Sequence, residues 1–409
     1  MAQTLSRRAM IGRALALGCS AAASPLVTPV SLASAPFDNR LIVIILRGAM
    51  DGLDILQPYG DPALSAARPS LKTGPDDGAI DLDGFFAMHK ALAPMLPMWR
   101  AQELAFVHAV STPYRDKRSH FDGQDLLEAG TPTMGAASER DGWLNRMLQT
   151  VPGISPRLAY SVGHENMLLM SGDAPVSNWA PNVRLKLSPH GHRLAELVAH
   201  DDPAFADAYA EAAMLMGRAD GGLSAMPVTG MMDAEDMQGI VGKGTYGIRQ
   251  IAQFTAEKLR EDARIASFSI GGWDTHRGQP AALPRAAAQL TDALLVLRET
   301  LGEVWGKTGV VAMTEFGRTV RENGTKGTDH GTGGAMILAG GAIRGGRVYG
   351  DWPGLAHGDL YKGRDLMPTR DVRAHAGWMM RGLFGLDRAT LEDAVFPGME
   401  LGSNPGLIL

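Results

Sequence analysis

The chain has 409 residues, of which 45% are hydrophobic and 20% charged, and its formal net charge is −5. A chain of this length can bury a large core in one or two globular domains. The acidic balance and the lack of a basic run argue against a nucleic-acid partner. No segment has the roughly 18 unbroken apolar residues that a membrane-spanning helix needs.

The first 33 residues have the order of a twin-arginine export signal. Arg7 and Arg8 precede a weakly apolar stretch, and small residues at 31–33 fit a cleavage site. We therefore predict a signal peptide over 1–33, the twin-arginine export machinery as a partner, and a periplasmic or extracellular location. Loss of its three arginines leaves 36 of the 39 basic residues against 44 acidic ones. The single cysteine, Cys19, lies in this segment, so the exported chain has no disulfide or thiolate metal site; lipid attachment at Cys19 is a minor alternative.

Apolar runs alternate with helical patterns along the rest of the chain. This alternation predicts an α/β fold with a mainly parallel sheet sandwiched by helices. The predicted elements, in chain order, are strand 41–46, helix 89–100, strand 104–110, helix 121–129, helix 143–150, helix 247–261, strand 265–270, helix 282–305, strand 310–314, a glycine-rich loop 317–334, strand 335–339 and helix 371–384.

Residues 157–242 interrupt this alternation. They are rich in Pro, Gly, Asn and Met, and their patterns predict only short strands at 158–162 and 167–170 and a helix near 203–216. We interpret them as a cap or lid inserted into a single α/β domain that covers 38–405.

Polar residues follow the ends of several predicted strands. Asp274 and His276 come directly after strand 265–270, and Glu315 follows strand 310–314. The carboxyl ends of parallel strands meet at one edge of a sheet, where open α/β sheets bind their ligands. The residues expected at this edge are Asp51, Ser119, Asp274, His276, Glu315, Arg318 and His330.

These residue types predict a metal-assisted ester hydrolase. One or two divalent ions are expected, and the pattern does not distinguish Zn from Mg, Mn or Ca. The metal would polarise the ester and activate a nucleophile, either Ser119 or a metal-bound hydroxide. The helix N-terminus behind Ser119 and the guanidinium of Arg318 would stabilise the anionic group. The predicted metal ligands are Asp51, Asp274, His276, Glu315 and His330.

Several of these positions also have simpler interpretations. Asp51 can cap a turn, Ser119 can be only the N-cap of its helix, and Arg318 can be a surface ion pair. His120 can be a ligand, but we interpret it as a structural hydrogen-bond donor. Asp329 is expected to orient the neighbouring histidine.

Five motifs in this order resemble the DUF1501 family of twin-arginine-exported bacterial proteins, which is placed with the alkaline phosphatase and sulfatase superfamily. The resemblance spans about 38 to 405 and implies an alkaline-phosphatase-like fold that hydrolyses phosphate or sulfate esters of a small molecule or polymer. It also implies a nucleophilic role for Ser119 and metal binding at the strand-end carboxylates and histidines. The motifs are 47–52 (RGAMDG), 118–122 (RSHFD), 271–276 (GGWDTH), 314–319 (TEFGRT) and 329–334 (DHGTGG).

The chain departs from the superfamily pattern in three ways. Asp274 and His276 are two residues apart rather than four, Glu315-Phe316 replaces an Asp-His pair, and the Asp-His pair that ends at His330 can be that pair displaced. The ligands suffice for one metal and are marginal for two. Two alternatives therefore stay open: a catalytically degenerate binding protein of the same fold, and a metal-handling or assembly factor that uses the methionines between 214 and 237.

Overall fold

The computed structural model describes residues 37–133, 141–181 and 243–409. Asp38–Leu409 form one compact unit. The predicted signal peptide with Cys19, and the predicted lid from 182 onward with its helix and methionines, lie outside the described residues. Among the described helices, none is long and apolar enough to cross a bilayer.

Strands and helices alternate along most of the described chain. The strands are β1 (Arg40–Leu46), β2 (Leu56–Gln57), β3 (Ile80–Asp81), β4 (Ala87–Met88), β5 (Leu104–Ser111), β6 (Ala159–Val162), β7 (Ser177–Trp179), β8 (Ile265–Ile270), β9 (Thr308–Met313), β10 (Arg318–Glu322), β11 (Thr328–His330), β12 (Gly334–Ala339), β13 (Arg347–Tyr349) and β14 (Arg370–Asp371). The α-helices are α1 (Gly52–Ile55), α2 (Pro62–Ala67), α3 (Leu96–Arg100), α4 (His120–Ala129), α5 (Trp143–Gln149), α6 (Lys243–Arg260), α7 (Gln279–Leu301) and α8 (Val372–Phe384).

The central sheet has the strand order β13-β5-β12-β9-β1-β8-β6-β7, with β14 beside β5. Neighbouring strands are parallel throughout the described sheet, except that β12 runs antiparallel to both β5 and β9. The predicted α/β class with a mainly parallel sheet is confirmed. Because β12 is reversed, its first residue lies at the edge where β1, β5, β8 and β9 end, and the chain before β12 reaches the same edge.

Helices cover both faces of the sheet, as predicted. Ile42 and Ile44 of β1 belong to one buried core with the apolar residues of α6 and α7. Side chains alternate between faces along a strand, so Leu41 points to the other face, as does Gly309, its partner on β9. A Cβ on Gly309 would meet Met379 and Leu383 of α8, which covers that face. Burying each large apolar side chain contributes about 1.5–3 kcal/mol.

Three predicted elements were wrong in detail. Residues 89–100 form a 3-10 helix, Lys90–Met95, followed by α3, because Pro94 and Pro97 remove amide donors from an α-helix. The predicted strand 167–170 is the 3-10 helix Leu168–Met170, since a short apolar run does not separate the two states. The predicted loop 317–334 contains the antiparallel pair β10–β11, whose mostly polar residues lack the apolar alternation of a strand.

The first part of the predicted insertion belongs to the main sheet. β6 pairs with β8 and β7 pairs with β6, both in parallel. The predicted strand 158–162 is therefore confirmed as a sheet strand.

Two buried histidines predict a loss of stability in acid. Burial lowers the pKa of His108 to about 4 and that of His375 to about 3, whereas an unfolded histidine titrates near ~6.5. Below about pH 6.5 these two histidines therefore bind protons in the unfolded chain but stay neutral in the folded chain. This contribution to stability is complete above ~6.5 and falls with pH by up to ~1.4 kcal/mol per unit for each histidine.

The slope can be measured by denaturant unfolding between pH 6.5 and 4.5. We expect His375→Leu to flatten the fall in unfolding free energy, while His357→Leu, at an exposed histidine, leaves it unchanged. An equal slope for parent and His375→Leu would contradict the assignment.

Candidate metal centre

Four segments meet at the carboxyl edge of the sheet. The loop after β5 ends at Ser119, whose hydroxyl accepts a hydrogen bond from Asp122 N at 3.4 Å and caps α4. The predicted cap is confirmed, and it makes His120 the first helical residue. The loop after β8 carries Asp274, and the end of β9 leads to Glu315. The fourth segment is β11, which ends at His330.

One aspartate and three histidines converge here. The ligand atoms of His120, Asp274 and His330 all lie within 4.8 Å of one another. Both His120 Nε2 and His330 Nε2 lie 3.5 Å from an oxygen of Asp274. His276 Nε2 lies 3.2 Å from Asp274 Oδ1 and 2.8 Å from His330 Nε2. The structure therefore brings together Asp274, His276 and His330 and adds His120.

Hydrogen bonds orient two of the imidazoles toward the cluster. His120 Nδ1 lies 2.8 Å from Glu315 Oε1, and His330 Nδ1 lies 2.9 Å from the Arg118 carbonyl oxygen. Carboxylate and carbonyl oxygens only accept, so each Nδ1 donates, and in the neutral imidazole each Nε2 keeps its lone pair. His120 Nε2 is buried and has no hydrogen-bond partner among the described residues. This is the arrangement in which an outer carboxylate or carbonyl orients a metal-binding histidine.

Glu315 is fully buried beneath His120 and faces no solvent. Besides His120, its carboxylate accepts hydrogen bonds from Gly48 N, Gln124 Nε2 and Thr314 Oγ1 at 2.8 to 3.1 Å. Burial alone would raise the pKa of Glu315, but these hydrogen bonds, led by that of His120, hold the pKa below its usual value. The same bond to Glu315 raises the pKa of His120. Glu315 is thus a charged acceptor that orients His120.

The loop of β1 also packs closely on Asp274. Gly48 has φ +117°, and a Cβ on it would lie 2.5 Å from Asp274 N. A side chain at this position would therefore push the aspartate loop away, which explains the glycine in the first motif.

Arg318 holds Asp274 in place. Its side chain is completely buried, and one of its terminal nitrogens lies 2.6 Å from Asp274 Oδ1. Burial alone would raise the pKa of Asp274, but the Arg318 hydrogen bond lowers it. The other donors of the guanidinium bind the backbone carbonyls of Gly48, Ala49, Trp273 and Thr328. The anion-binding role of Arg318 stays a prediction, and these contacts weigh against it.

Asp51 has a different set of partners. Its carboxylate caps α1, accepts two bonds from buried Arg68 at 2.8 and 3.0 Å, and accepts a third from Gln279 at 2.7 Å. It contributes no atom to the cluster of His120, Asp274 and His330. Its role as a metal ligand stays a prediction, and the pairing with Arg68 weighs against it.

Two residues at this edge make contacts that the sequence did not indicate. His120, interpreted as a structural hydrogen-bond donor, does bond Glu315 and also lies 3.5 Å from Asp274; the available signal for the second contact was its position just after the N-cap at the sheet edge. Phe316 packs on the rings of His120 and His330 at centroid distances of 5.3 and 5.1 Å. It forms an apolar wall behind both histidines.

The residues present fit a divalent metal ion. Ligand atoms bound to one ion at ~2.0–2.2 Å lie roughly 3–4 Å apart. The two separations of 3.5 Å, each to a different oxygen of Asp274, match this, and all the ligand atoms of the cluster lie within 4.8 Å. His120 Nε2 supports this fit, because it is buried and has no hydrogen bond from the described residues, and a buried ring nitrogen without a hydrogen bond is costly unless something binds it.

The fold and the cluster define an α/β protein with a histidine-aspartate centre at the sheet edge. The chain belongs to the family described as "Protein of unknown function (DUF1501)", which matches residues 38–377. No curated protein matches it in sequence.

Three solved structures are distantly similar to the chain. The alkaline phosphatase of the Antarctic bacterium TAB5 is 10% identical over 75% of this chain and 92% of its own, with a TM-score of 0.34. Ps i-CgsB is 10% identical over 88% and 75%, with a TM-score of 0.37. An alkaline phosphatase superfamily protein from Vibrio parahaemolyticus is 11% identical over 75% and 62%, with a TM-score of 0.33.

Bound groups are known for two of these proteins. A variant of the TAB5 phosphatase holds Mg, and Ps i-CgsB has been solved with k-i-k-neocarrahexaose. At such low identity and TM-score, activity does not transfer from one protein to another.

Proposed function

We propose that this protein is an exported, metal-dependent hydrolase of phosphate or sulfate esters. The observation that carries the proposal is the cluster of His120, Asp274 and His330, in which the buried Nε2 of His120 has no hydrogen bond from the described residues. Two or three imidazoles beside one carboxylate favour a first-row transition ion such as Zn²⁺ over Mg²⁺ or Ca²⁺, which prefer all-oxygen sites.

The chain's own residues prepare the centre. His120, Asp274 and His330 would hold the ion, with His276 as a fourth donor. Glu315 fixes the tautomer of His120. Burial lowers the pKa of His330, which keeps its imidazole neutral and able to bind. When bound, a divalent ion supplies Lewis-acid polarisation of the ester and lowers the pKa of a water molecule.

The substrate class follows from the charge at this edge. The nearby α4 is ten residues long and presents its N-terminus beside His120, which favours an anionic group. The proposed substrates are therefore anionic esters on a small molecule or a polymer. A panel of aryl phosphates and sulfates with metal-stripped and Zn²⁺-restored protein tests this. Zn²⁺-dependent turnover that Asp274→Asn abolishes is expected; turnover equal with and without metal would overturn it.

The nucleophile of the proposed reaction is either Ser119 or a metal-bound hydroxide. Ser119→Ala removes a hydroxyl that caps α4, and loss of a cap costs about 1 kcal/mol. If Ser119 also attacks the ester, its loss lowers turnover by at least ~10²-fold. We expect the cap cost with retained turnover, because the hydroxyl already serves α4. Turnover and unfolding free energy measured together decide this, and a trapped covalent phosphoserine in the parent protein would contradict our expectation.

A binding protein is the second candidate function. Arg318 is 1% exposed and bonds Asp274 and four backbone carbonyls, so this arginine offers little to a transferred anion. Binding of metal and of a phosphate ester without turnover, across the panel above, would favour this candidate. The methionines of the third alternative lie outside the described residues.

Export through the twin-arginine route is part of the proposal. It rests on the order of Arg7, Arg8, the apolar stretch and the small residues at 31–33. We expect replacement of both arginines by lysine to leave full-length precursor in the cytoplasm. Mature protein outside the cytoplasm at the parent's level would contradict the signal.

A further inference from the structure

The first residue of α7 joins the two loops that carry the cluster. We infer that Gln279 is a positioning residue that sets the spacing between the Asp274–His276 loop and His330; the inference rests on the proposed metal centre. Gln279 is fully buried and makes four side-chain hydrogen bonds. Gln279 lies outside the five motifs, and no charge or glycine pattern in the sequence indicates its role.

The oxygen of the Gln279 amide binds both loops at once. It accepts from Thr275 Oγ1 at 2.9 Å and from Thr328 Oγ1 at 2.8 Å. Thr275 stands between Asp274 and His276, and Thr328 stands two residues before His330 on β11. One amide oxygen thus links the two ligand-bearing segments through two short bonds.

The nitrogen of the same amide binds the segment after β1. It donates to Asp51 Oδ2 and to Asp54 Oδ2, both at 2.7 Å. Because Asp51 is paired with Arg68 and can only accept, the amide nitrogen must face it, and the amide oxygen must face the two threonines. All four hydrogen-bonding positions of Gln279 are therefore occupied in one orientation.

The backbone strengthens the same connection. Gln279 N donates to Lys326 O at 2.8 Å, and Thr328 N donates to Thr275 O at 3.2 Å. A Cβ on Gly327 would lie 2.3 Å from His276 O, so the two loops pack backbone against backbone. The side chain of Gln279 fills the junction beneath this contact and holds the ligand loops in register.

The test compares single changes at this junction by metal affinity. Removing a group that orients a metal-binding residue typically lowers metal affinity by about 10–100-fold. We expect Gln279→Leu and Thr275→Val to weaken Zn²⁺ binding to the full chain within that range, measured by competition with a chelator. Thr275→Ser keeps the hydroxyl and should bind within about 3-fold of the parent. Thr291→Val removes a buried hydroxyl on the same helix that has no partner among the described residues, and should leave affinity unchanged.

Each outcome decides the inference. If Gln279→Leu fails to fold, Thr275→Val and Thr328→Val carry the comparison. A lower unfolding free energy with unchanged Zn²⁺ affinity in all of them would mean a purely structural role and overturn the inference. If the parent itself binds no metal, the proposed function fails instead. The positioning role is then decided by the ring-proton NMR signals of His276 and His330, which must move in Thr275→Val and return in Thr275→Ser; unmoved signals overturn it.

Discussion

Replacing His120 with alanine is expected to remove metal binding and lower ester hydrolysis by about 10³-fold or more. The change deletes one proposed ligand and leaves the buried Glu315 carboxylate without the hydrogen bond from His120 at 2.8 Å. A metal ion supplies several kcal/mol of transition-state stabilisation, and ~4 kcal/mol corresponds to a factor of about 10³. Metal content after purification and turnover with added Zn²⁺ measure both effects.

Two matched variants separate the ligand role from the folding role. Glu315→Gln keeps the shape and can still accept from His120, but loses the charge, so we expect an intermediate loss of affinity of about 10–100-fold. His357→Ala changes an exposed histidine outside the cluster and should keep full metal content. Full metal content in His120→Ala would show that the cluster does not hold the ion.

Replacing Arg68 with methionine is expected to lower the free energy of unfolding by about 3–5 kcal/mol, the cost of leaving a buried charge unpaired. Arg68 is 1% exposed and binds Asp51 through two nitrogens. It also donates to the backbone carbonyls of Thr319 and Val320 on β10. The change would leave the Asp51 carboxylate without a cation and would remove the Arg68 donor from both carbonyls. Denaturant unfolding at neutral pH measures the loss.

The control for this change lies on the β10–β11 hairpin, which Arg68 contacts. Arg321→Met alters an exposed arginine of β10 and should change stability by no more than ~0.5 kcal/mol. If Arg68→Met costs no more than Arg321→Met, the pair of Arg68 and Asp51 is not a stabilising contact. That result would favour the predicted role of Asp51 as a metal ligand.

Much of the sheet was predictable because its signal is local. β1 is a continuous apolar run from Leu41 to Leu46, and β8 is an apolar run interrupted only by Ser267 and Ser269; such runs are typical of strands buried on both faces. Asp274 and His276 were predictable because polar residues that directly follow such runs collect at one edge. The reversed direction of β12 has no local signal, yet it is what brings His330 to this edge.

The roles within the centre were harder to predict than its membership. The predicted metal contact of Glu315 and anion contact of Arg318 stay predictions; what weighs against them, the full burial of both side chains among partners, is not visible in a sequence. His120 was undervalued because its importance depends on Glu315, which is distant along the chain and adjacent only in the fold. Gln279 carries no motif at all, since an uncharged amide becomes informative only through the four groups it contacts.

The central claim is that His120, Asp274 and His330 form one metal centre. The most direct measurement is an equilibrium titration of chelator-stripped protein with Zn²⁺. Extended X-ray absorption fine-structure spectroscopy of the Zn²⁺-loaded protein then gives the metal–ligand distances. We predict one ion per chain, bound by two or three imidazole nitrogens and one carboxylate oxygen at about 2.0–2.2 Å. Uptake of no ion, or a first shell without imidazole nitrogen, would contradict the claim.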